Sequence, residues 1–183
     1  MPFDPSILTP NPTGREPILV VLEAALAAVD PYLATRAGLQ REGDTLTVAG
    51  RKYDLGRYRR VLVVGAGKAG APMTQAVEAV LGDHISNGLV VVKTGHSAST
   101  KQVEIVEASH PRPDAAGVAA GERILEFAQE ANEDDLVIAL LSGGGSALLV
   151  APAPGLSLAN VQAMTDGHLA DCLQAALALA PNV

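Results

Sequence analysis

The chain has 183 residues, of which 48% are hydrophobic and 18% are charged, with a formal net charge of -7 and one cysteine. This length and composition predict a single globular domain. The negative charge disfavours a nucleic-acid partner, because phosphate backbones bind clustered lysine and arginine. One cysteine excludes an internal disulfide. No start resembling a secretion signal and no long apolar run is visible, so we expect a cytoplasmic protein without a membrane segment.

The chain is expected to begin with an extended, proline-rich arm over residues 1–15, followed by one domain over residues 16–183. Apolar residues then recur at helical spacing as far as Asp30, which precedes a proline. Such a pair can cap and start a second short helix, and Gly38 is expected to end it. The stretch TLTVAGRKYDL alternates apolar and polar residues and predicts a small β-hairpin.

The remaining chain alternates predicted strands and helices. Helices are expected before Gly82 and after Asp114, which is a candidate N-cap. The segment KTGHSASTKQ is short for a helical crossover, so the third strand is expected to have an unusual place or direction. The pattern predicts an α/β fold, namely a Rossmann-like three-layer α/β/α domain with a mostly parallel sheet and a small β-hairpin. The predicted strands are continuous runs of Val, Ile and Leu at residues 61–64, 89–92, 103–106 and 136–141.

A first glycine-rich loop follows the first of these strands. In VLVVGAGKAGAPM, Gly65, Gly67 and Gly70 satisfy the G-x-G-x-x-G spacing of dinucleotide-binding loops, and Lys68 lies among them. The acidic ribose partner of such sites is replaced by Lys93, which can accommodate the 2'-phosphate of NADP. The loop therefore predicts either a dinucleotide site or a phosphate site at a helix N-terminus; a tight turn with a surface lysine is the structural alternative.

A second glycine-rich loop, from Ser142 to Ser146, follows the last predicted strand. Three consecutive glycines are costly to order, and close approach to a ligand is a usual reason for them. The two serine hydroxyls can contact phosphate oxygens or cap the next helix. After the third strand, prolines set His110 and Asp114 at the two ends of a loop, where the histidine can contact a substrate carboxylate or hydroxyl and the aspartate can cap a helix.

Four segments of the chain match a known family in their order and spacing, namely VLVVGAGKAGAPM, GLVVVKTGHS, IVEASHPRPDAAG and LLSGGGSALL. Together they resemble the N-terminal domain of the glycerate 2-kinases, the class with a MOFRL C-terminal domain. The resemblance covers roughly residues 16–165 and implies transfer of the ATP γ-phosphate to the 2-hydroxyl of D-glycerate, with a divalent metal that is usually Mg2+.

The resemblance also implies roles for particular residues. Lys68 falls on the lysine of the family's GAGKA loop and is assigned as the catalytic, phosphate-binding group. His96, His110 and Asp114 are expected to line the substrate cleft, and the metal ligands are left unassigned. The nucleotide or phosphate is expected to contact Gly65, Gly67, Ser142, Gly143, Gly144, Gly145 and Ser146.

The likeness to the family is expected to end near Met164, and the family's C-terminal domain is expected to be absent from this chain. The resemblance therefore implies that this chain is inactive alone. Two alternatives remain: an NADP-dependent hydroxypyruvate reductase, and a non-catalytic α/β module that binds nucleotides or a partner. A homodimer is a candidate assembly.

Overall fold

The computed structural model describes residues 12–179. Helix α1 spans Pro12–Ala28. Residues 12–15 are therefore helical, which corrects the extended arm expected over residues 1–15; the rest of that arm lies outside the described residues. Proline is compatible with the first helical position because the N–H that it lacks has no partner within the helix.

Helix α2 spans Pro31–Ala37 and begins and ends as predicted. The Asp30 side chain accepts a hydrogen bond of 2.8 Å from the N–H of Leu33, and Gly38 caps the C-terminus. No single helix in residues 12–179 is long and apolar enough to span a membrane, although α1 and α2 together pass that test as a pair bent by 47°.

Three short strands form an antiparallel sheet in the order β1-β2-β3. Strands β2, Thr45–Val48, and β3, Arg51–Asp54, form the predicted hairpin, whose turn places Ala49 and Gly50 at φ values of 48° and 80°. Strand β1, Leu39–Glu42, was not predicted, because Leu39 alone among its four residues is buried and the rest are exposed. The predicted hairpin thus forms two of the three strands of this small sheet.

The main sheet confirms all four predicted strands. Its order is β6-β5-β4-β7 and every neighbouring pair is parallel. The carboxyl ends of all four strands therefore lie at one edge, which we call the C-edge. The strands are β4 (Arg60–Ala66), β5 (Asn87–Lys93), β6 (Glu104–Ala108) and β7 (Asp135–Leu141).

Helices cover both faces of the main sheet, as the three-layer prediction requires. Alternate residues of β5 separate two buried clusters, with Val90 and Val92 packed towards α3 and the small sheet, and Leu89 and Val91 packed towards α4 and α5. Burial of one such side chain contributes about 1.5 to 3 kcal/mol. The helices are α3 (Gly70–Leu81), α4 (Ala115–Glu130), α5 (Gly145–Leu148) and α6 (Leu158–Leu179), with 3-10 turns at Leu55–Arg57 and Gly82–His84.

The connection from β5 to β6 crosses over without a helix, and β6 is nevertheless parallel to β5. A carboxylate on α3 makes this possible. Glu78 is 9% exposed and accepts hydrogen bonds of 2.8 to 3.0 Å from the N–H groups of Lys101, Gln102 and Val103. The side chain thereby satisfies backbone donors that a helical crossover would satisfy internally. The expectation of an unusual direction for the third strand was wrong.

An ion-pair cluster lies at the opposite edge of the main sheet. The fully buried Asp135 carboxylate accepts hydrogen bonds from the guanidinium groups of Arg59 and Arg60, with closest distances of 3.0 and 2.8 Å. These hydrogen bonds hold the pKa of Asp135 well below its usual range, and the bond from Arg60 has the largest effect. The cluster joins the amino ends of β4 and β7, far from the glycine-rich loops.

Candidate functional site

The two glycine-rich loops meet at the C-edge and are joined by hydrogen bonds. The loop after β4 spans residues 67–69 and the loop after β7 spans residues 142–144. The N–H of Lys68 donates to the carbonyl of Gly143 at 2.9 Å, and the N–H of Ala69 donates to Ser142 Oγ at 3.1 Å. In return, the N–H of Ser142 donates to the carbonyl of Ala66 at 3.1 Å. The sequence predicted both loops but not their mutual contact.

Close packing explains the three glycines of the first loop. A Cβ on Gly65 would overlap the carbonyl of Leu140, and a Cβ on Gly67, whose φ is +140°, would overlap the Ser142 hydroxyl. A Cβ on Gly70 would lie 2.7 Å from Val90 Cγ1. The G-x-G-x-x-G spacing is therefore accounted for by contacts within the protein, and the phosphate contacts expected of Gly65 and Gly67 stay predictions.

The backbone donors of the two loops differ in availability. In the first loop, the N–H of Gly67 donates to the carbonyl of Val91 at 3.0 Å, and those of Lys68 and Ala69 donate to the second loop. In the second loop, the N–H groups of Gly143 and Gly144 have no partner among the residues that the structure describes. Backbone groups that can bind an anion are therefore those of the second loop.

Basic side chains surround these available N–H groups. A Cβ on Gly144 would lie 3.3 Å from Cε of Lys68 and 3.0 Å from the His110 ring, so all three residues meet. The pKa of His110 is lowered by burial first, then by the charges of Lys68 and Lys93. The structure thus brings together the predicted Lys68, His110 and Gly144, and adds Lys93, which entered the sequence argument only as a contact for NADP.

His96 connects the turns that carry the two lysines. Its Nδ1 lies 3.2 Å from the carbonyl oxygen of Lys68, and its backbone N–H donates to the carbonyl of Lys93 at 2.9 Å. Because a carbonyl oxygen only accepts, the contact requires a proton on Nδ1. His96 therefore lies at the C-edge as expected of a cleft residue, and its observed contacts are with the backbone of the lysine-bearing turns.

Asp114 caps α4, as one of its two predicted roles required. Its carboxylate accepts hydrogen bonds of 2.9 Å from the N–H of Gly117 and 3.0 Å from the N–H of Ser109. Both oxygens are thus occupied by backbone donors, and the residue fixes the loop that carries His110. Its predicted place in the substrate cleft stays a prediction.

The two serines of the second loop differ in position. Ser142 is half-buried and bridges to Ala69, whereas Ser146 is exposed in the first turn of α5. Neither is the N-cap of α5, because that position is Gly144. Beside Ser146 lies a mainly apolar hollow of about 460 Å³, which His110, Pro113, Met164 and other residues of α6 line.

The described residues at the C-edge do not by themselves fit a magnesium site. Mg2+ prefers carboxylate, phosphate and water oxygens in octahedral geometry. No group of three His, Cys, Asp or Glu side chains converges anywhere in the part of the chain whose side chains are described, and each oxygen of the Asp114 carboxylate already accepts a backbone hydrogen bond. We therefore assign no metal ligand in this chain.

These features define a Rossmann-like α/β domain whose strand ends form a candidate anion-binding site. The chain belongs to the family described as "Domain of unknown function (DUF4147)", whose sequence model matches residues 18–174. The match continues past Met164, where the sequence likeness to the glycerate 2-kinases was expected to end. The resemblance to the N-terminal domain of those enzymes is confirmed.

Named relatives match this chain in sequence. A glycerate 2-kinase of Pyrococcus horikoshii is 34% identical and aligns with 83% of this chain and 34% of its own length. An Agrobacterium vitis protein named "Putative hydroxypyruvate reductase" is 38% identical, over 86% of this chain and 33% of its own.

Two crystal structures, a Pyrococcus horikoshii protein and a Thermotoga maritima glycerate kinase, superpose with TM-scores of 0.73 and 0.64. Both are 34% identical to this chain and align with 83% of it and 34% of their own chains. The chain thus spans about a third of the length of the relatives that it matches.

Proposed function

We propose that this chain is the phosphate-binding part of a glycerate 2-kinase, an enzyme that transfers the γ-phosphate of ATP to the 2-hydroxyl of D-glycerate. The observation that carries the proposal is the arrangement of donors at the C-edge. The Lys68 side chain and the His110 ring both lie beside Gly144, in the loop whose Gly143 and Gly144 N–H groups have no partner among the described residues. The names of the relatives from Pyrococcus and Thermotoga support the same reaction class.

The same arrangement argues against a dinucleotide in the first glycine loop. A Rossmann pyrophosphate binds the free N–H groups at the start of the helix that follows this loop. Here the N–H groups of Gly67, Lys68 and Ala69 all donate to carbonyl or hydroxyl oxygens of the protein. A dinucleotide would have to displace the second loop, so the reductase alternative is the weaker one.

In the proposed reaction, the terminal phosphoryl group lies against Lys68 and the second loop. Lysine charge and backbone N–H groups neutralise the oxygens of a transferring phosphoryl group, and catalysis of this kind rests mainly on positioning and electrostatics. The bond from the γ-phosphorus to the bridging oxygen of ADP breaks, a bond to the 2-oxygen of glycerate forms, and the hydroxyl proton is released. His110, whose uncharged form is favoured, can accept a hydrogen bond at this place.

Mg2+ is the metal that such a reaction uses, and it would act on the phosphate oxygens of ATP. Because the described residues do not form a complete site for it, no step is assigned to a metal here. The apolar hollow beside Ser146 offers room of about 460 Å³ for further parts of the ligands next to the phosphate site.

We also propose that this chain does not turn over glycerate at a useful rate alone. Holding two substrates together and excluding water can supply about 7 to 11 kcal/mol of a barrier. The C-edge is open in this chain: Lys68, Gly143 and Ser146 are exposed. Closure of the cleft is therefore assigned to the part of the relatives that does not align with these 183 residues.

Titration calorimetry of the 183-residue chain tests the binding part of the proposal, with ADP plus Mg2+ in one experiment and NADPH in the other. We expect heat with ADP that is lost in Lys68→Met, and no binding of NADPH. NADPH binding without ADP binding would instead support the reductase alternative, and binding of neither would support a non-catalytic module.

A coupled assay of ADP release with D-glycerate tests the division of labour, with the glycerate 2-kinase of Pyrococcus horikoshii as the reference. We expect the isolated chain to be slower by several orders of magnitude, in line with the positioning energy above. Rates within about tenfold of each other would show that this chain carries the whole active site.

A further inference from the structure

Lys93 is the last residue of β5 and lies at the C-edge on the side of His110. It pairs in register with Ala108 of β6, and His110 follows Ala108 by two residues. Val91, which points to the same face of the sheet as Lys93, belongs to the buried cluster on the α4 side together with Ala108. No carboxylate oxygen lies within 4.0 Å of the Lys93 ammonium in the described part of the chain.

The turn that follows Lys93 offers no backbone donors. The N–H of Thr94 donates to the carbonyl of Ala108, that of Gly95 to the Glu107 carboxylate, and that of His96 to the carbonyl of Lys93 itself. The ammonium group of Lys93 therefore lies at a turn whose N–H groups at residues 94–96 are already paired. A single ammonium group can neutralise a carboxylate, which carries one charge. A phosphoryl group carries its charge on three oxygens and is better matched where further N–H donors lie beside the lysine, as they do beside Lys68.

Lys68 has the complementary surroundings. It lies beside the N–H groups of Gly143 and Gly144, which have no partner in residues 12–179 and suit a phosphoryl group. The strands that precede the two lysines are neighbours, roughly 5 Å apart. His96 holds the two turns together through the carbonyls of both lysines. One small molecule with an anionic group at one end and a phosphoryl acceptor at the other can therefore reach both.

We propose that Lys93 binds the carboxylate of the acceptor, an α-hydroxycarboxylate, and so selects acids over uncharged alcohols. The inference rests on the proposed function, which names the acceptor as D-glycerate. Lys68 and the second loop then hold the phosphoryl group, and Lys93 fixes the end of the acceptor that does not react. His96 is a positioning residue that keeps the two lysine-bearing turns in register.

The test is an NMR titration of backbone amides in the 183-residue chain with D-glycerate, with glycerol as a probe that lacks the carboxylate, and with ADP plus Mg2+. We expect Lys93→Gln to raise the Kd for D-glycerate about tenfold or more and to leave the Kd for ADP within about twofold. Lys93→Arg, which keeps the charge, should retain most of the affinity. Lys101→Gln removes an exposed lysine near the start of β6 and should change neither Kd.

The outcomes separate the two proposals. An unchanged Kd for D-glycerate in Lys93→Gln, equal binding of glycerol and D-glycerate, or no binding of D-glycerate at all overturns the role of Lys93. ADP binding that depends on Lys68 preserves the kinase proposal in each of those cases. Binding of D-glycerate that depends on Lys93 in a chain that binds no ADP supports the carboxylate site and overturns the kinase proposal. Thermal unfolding of each variant identifies any that fails to fold.

Discussion

Ser142 Oγ accepts a hydrogen bond of 3.1 Å from the N–H of Ala69, so a serine of the second glycine-rich loop caps a helix whose N-cap residue lies 73 positions earlier in the chain. Ala69 is the N-cap residue of α3 and has no side chain that can cap. The hydroxyl therefore satisfies a helix donor that would otherwise need water or a ligand. The contact also fixes the second loop against the first.

Gly67→Ala is expected to destabilise the protein by about 3 kcal/mol or more. The new methyl group would overlap the Ser142 hydroxyl, and the φ of +140° is strained for any residue with a Cβ. Gly143→Ala is the matched control for stability, because nothing lies within 4 Å of its added Cβ. Chemical denaturation of both variants is the measurement; equal midpoints would contradict the packing of the two loops.

Lys68→Met is expected to raise the pKa of His110 towards its ordinary value. Burial lowers this pKa first, so it should remain below that value, but the repulsion from the Lys68 charge is lost. An NMR titration of the imidazole resonance measures the change, with Lys101→Met as the control lysine. Because the lowered pKa makes protonation oppose folding, the stability lost as pH falls below about 6.5 should also be smaller in Lys68→Met. An unchanged pKa would separate Lys68 from His110.

Glu78→Gln is expected to loosen the crossover between β5 and β6. The amide nitrogen cannot accept, so at least one of the hydrogen bonds from residues 101–103 is lost, at about 2 kcal/mol for a buried charge-assisted contact. Hydrogen exchange of Lys101, Gln102 and Val103 should quicken. Glu122→Gln, on the exposed face of α4, is the control and should leave that exchange unchanged.

Asp135→Asn is expected to lower the melting temperature at neutral pH, with a deficit that shrinks in acid. The pKa of Asp135 is depressed in the folded protein, so its contribution is complete above about pH 4 and is lost as pH falls further. Asp134→Asn changes an exposed neighbour and controls for the loss of charge. A deficit of the same size at pH 7 and pH 2 would show that the ion pairs with Arg59 and Arg60 do not carry the effect.

The strands of the main sheet were predictable because each is a continuous apolar run, a pattern that burial on both faces requires. The caps at Asp30 and Asp114 were predictable because they act within a few residues. Strand β1 was not, since its sequence LQRE shows no apolar alternation and its pairing with β2 decides its structure. The crossover that leads into β6 is held by hydrogen bonds to Glu78, which lies on a different element and has no local signature.

The candidate site shows the same division. Lys68, His110 and the second loop could be selected from sequence because they follow strands that end at one edge. The use of the first loop's donors by the second loop could not, because it depends on contacts between distant segments. From the sequence, Lys93 was singled out only as a residue that can accommodate the 2'-phosphate of NADP. Its position next to the loop of His110 follows from its register with Ala108, which the sequence does not show.

The pairing of β4 with β7 joins residues 75 positions apart, whereas β5 and β6 pair residues such as Leu89 and Glu104 through a short connection. Closing the longer loop costs more chain entropy, so we expect the short pairing to form early and the β4–β7 pairing late in folding. The two glycine-rich loops come together through that late pairing. A ligand that contacts both Lys68 and Gly144 would therefore link two loops that come together late in folding, and its binding would slow unfolding as well as shift its equilibrium.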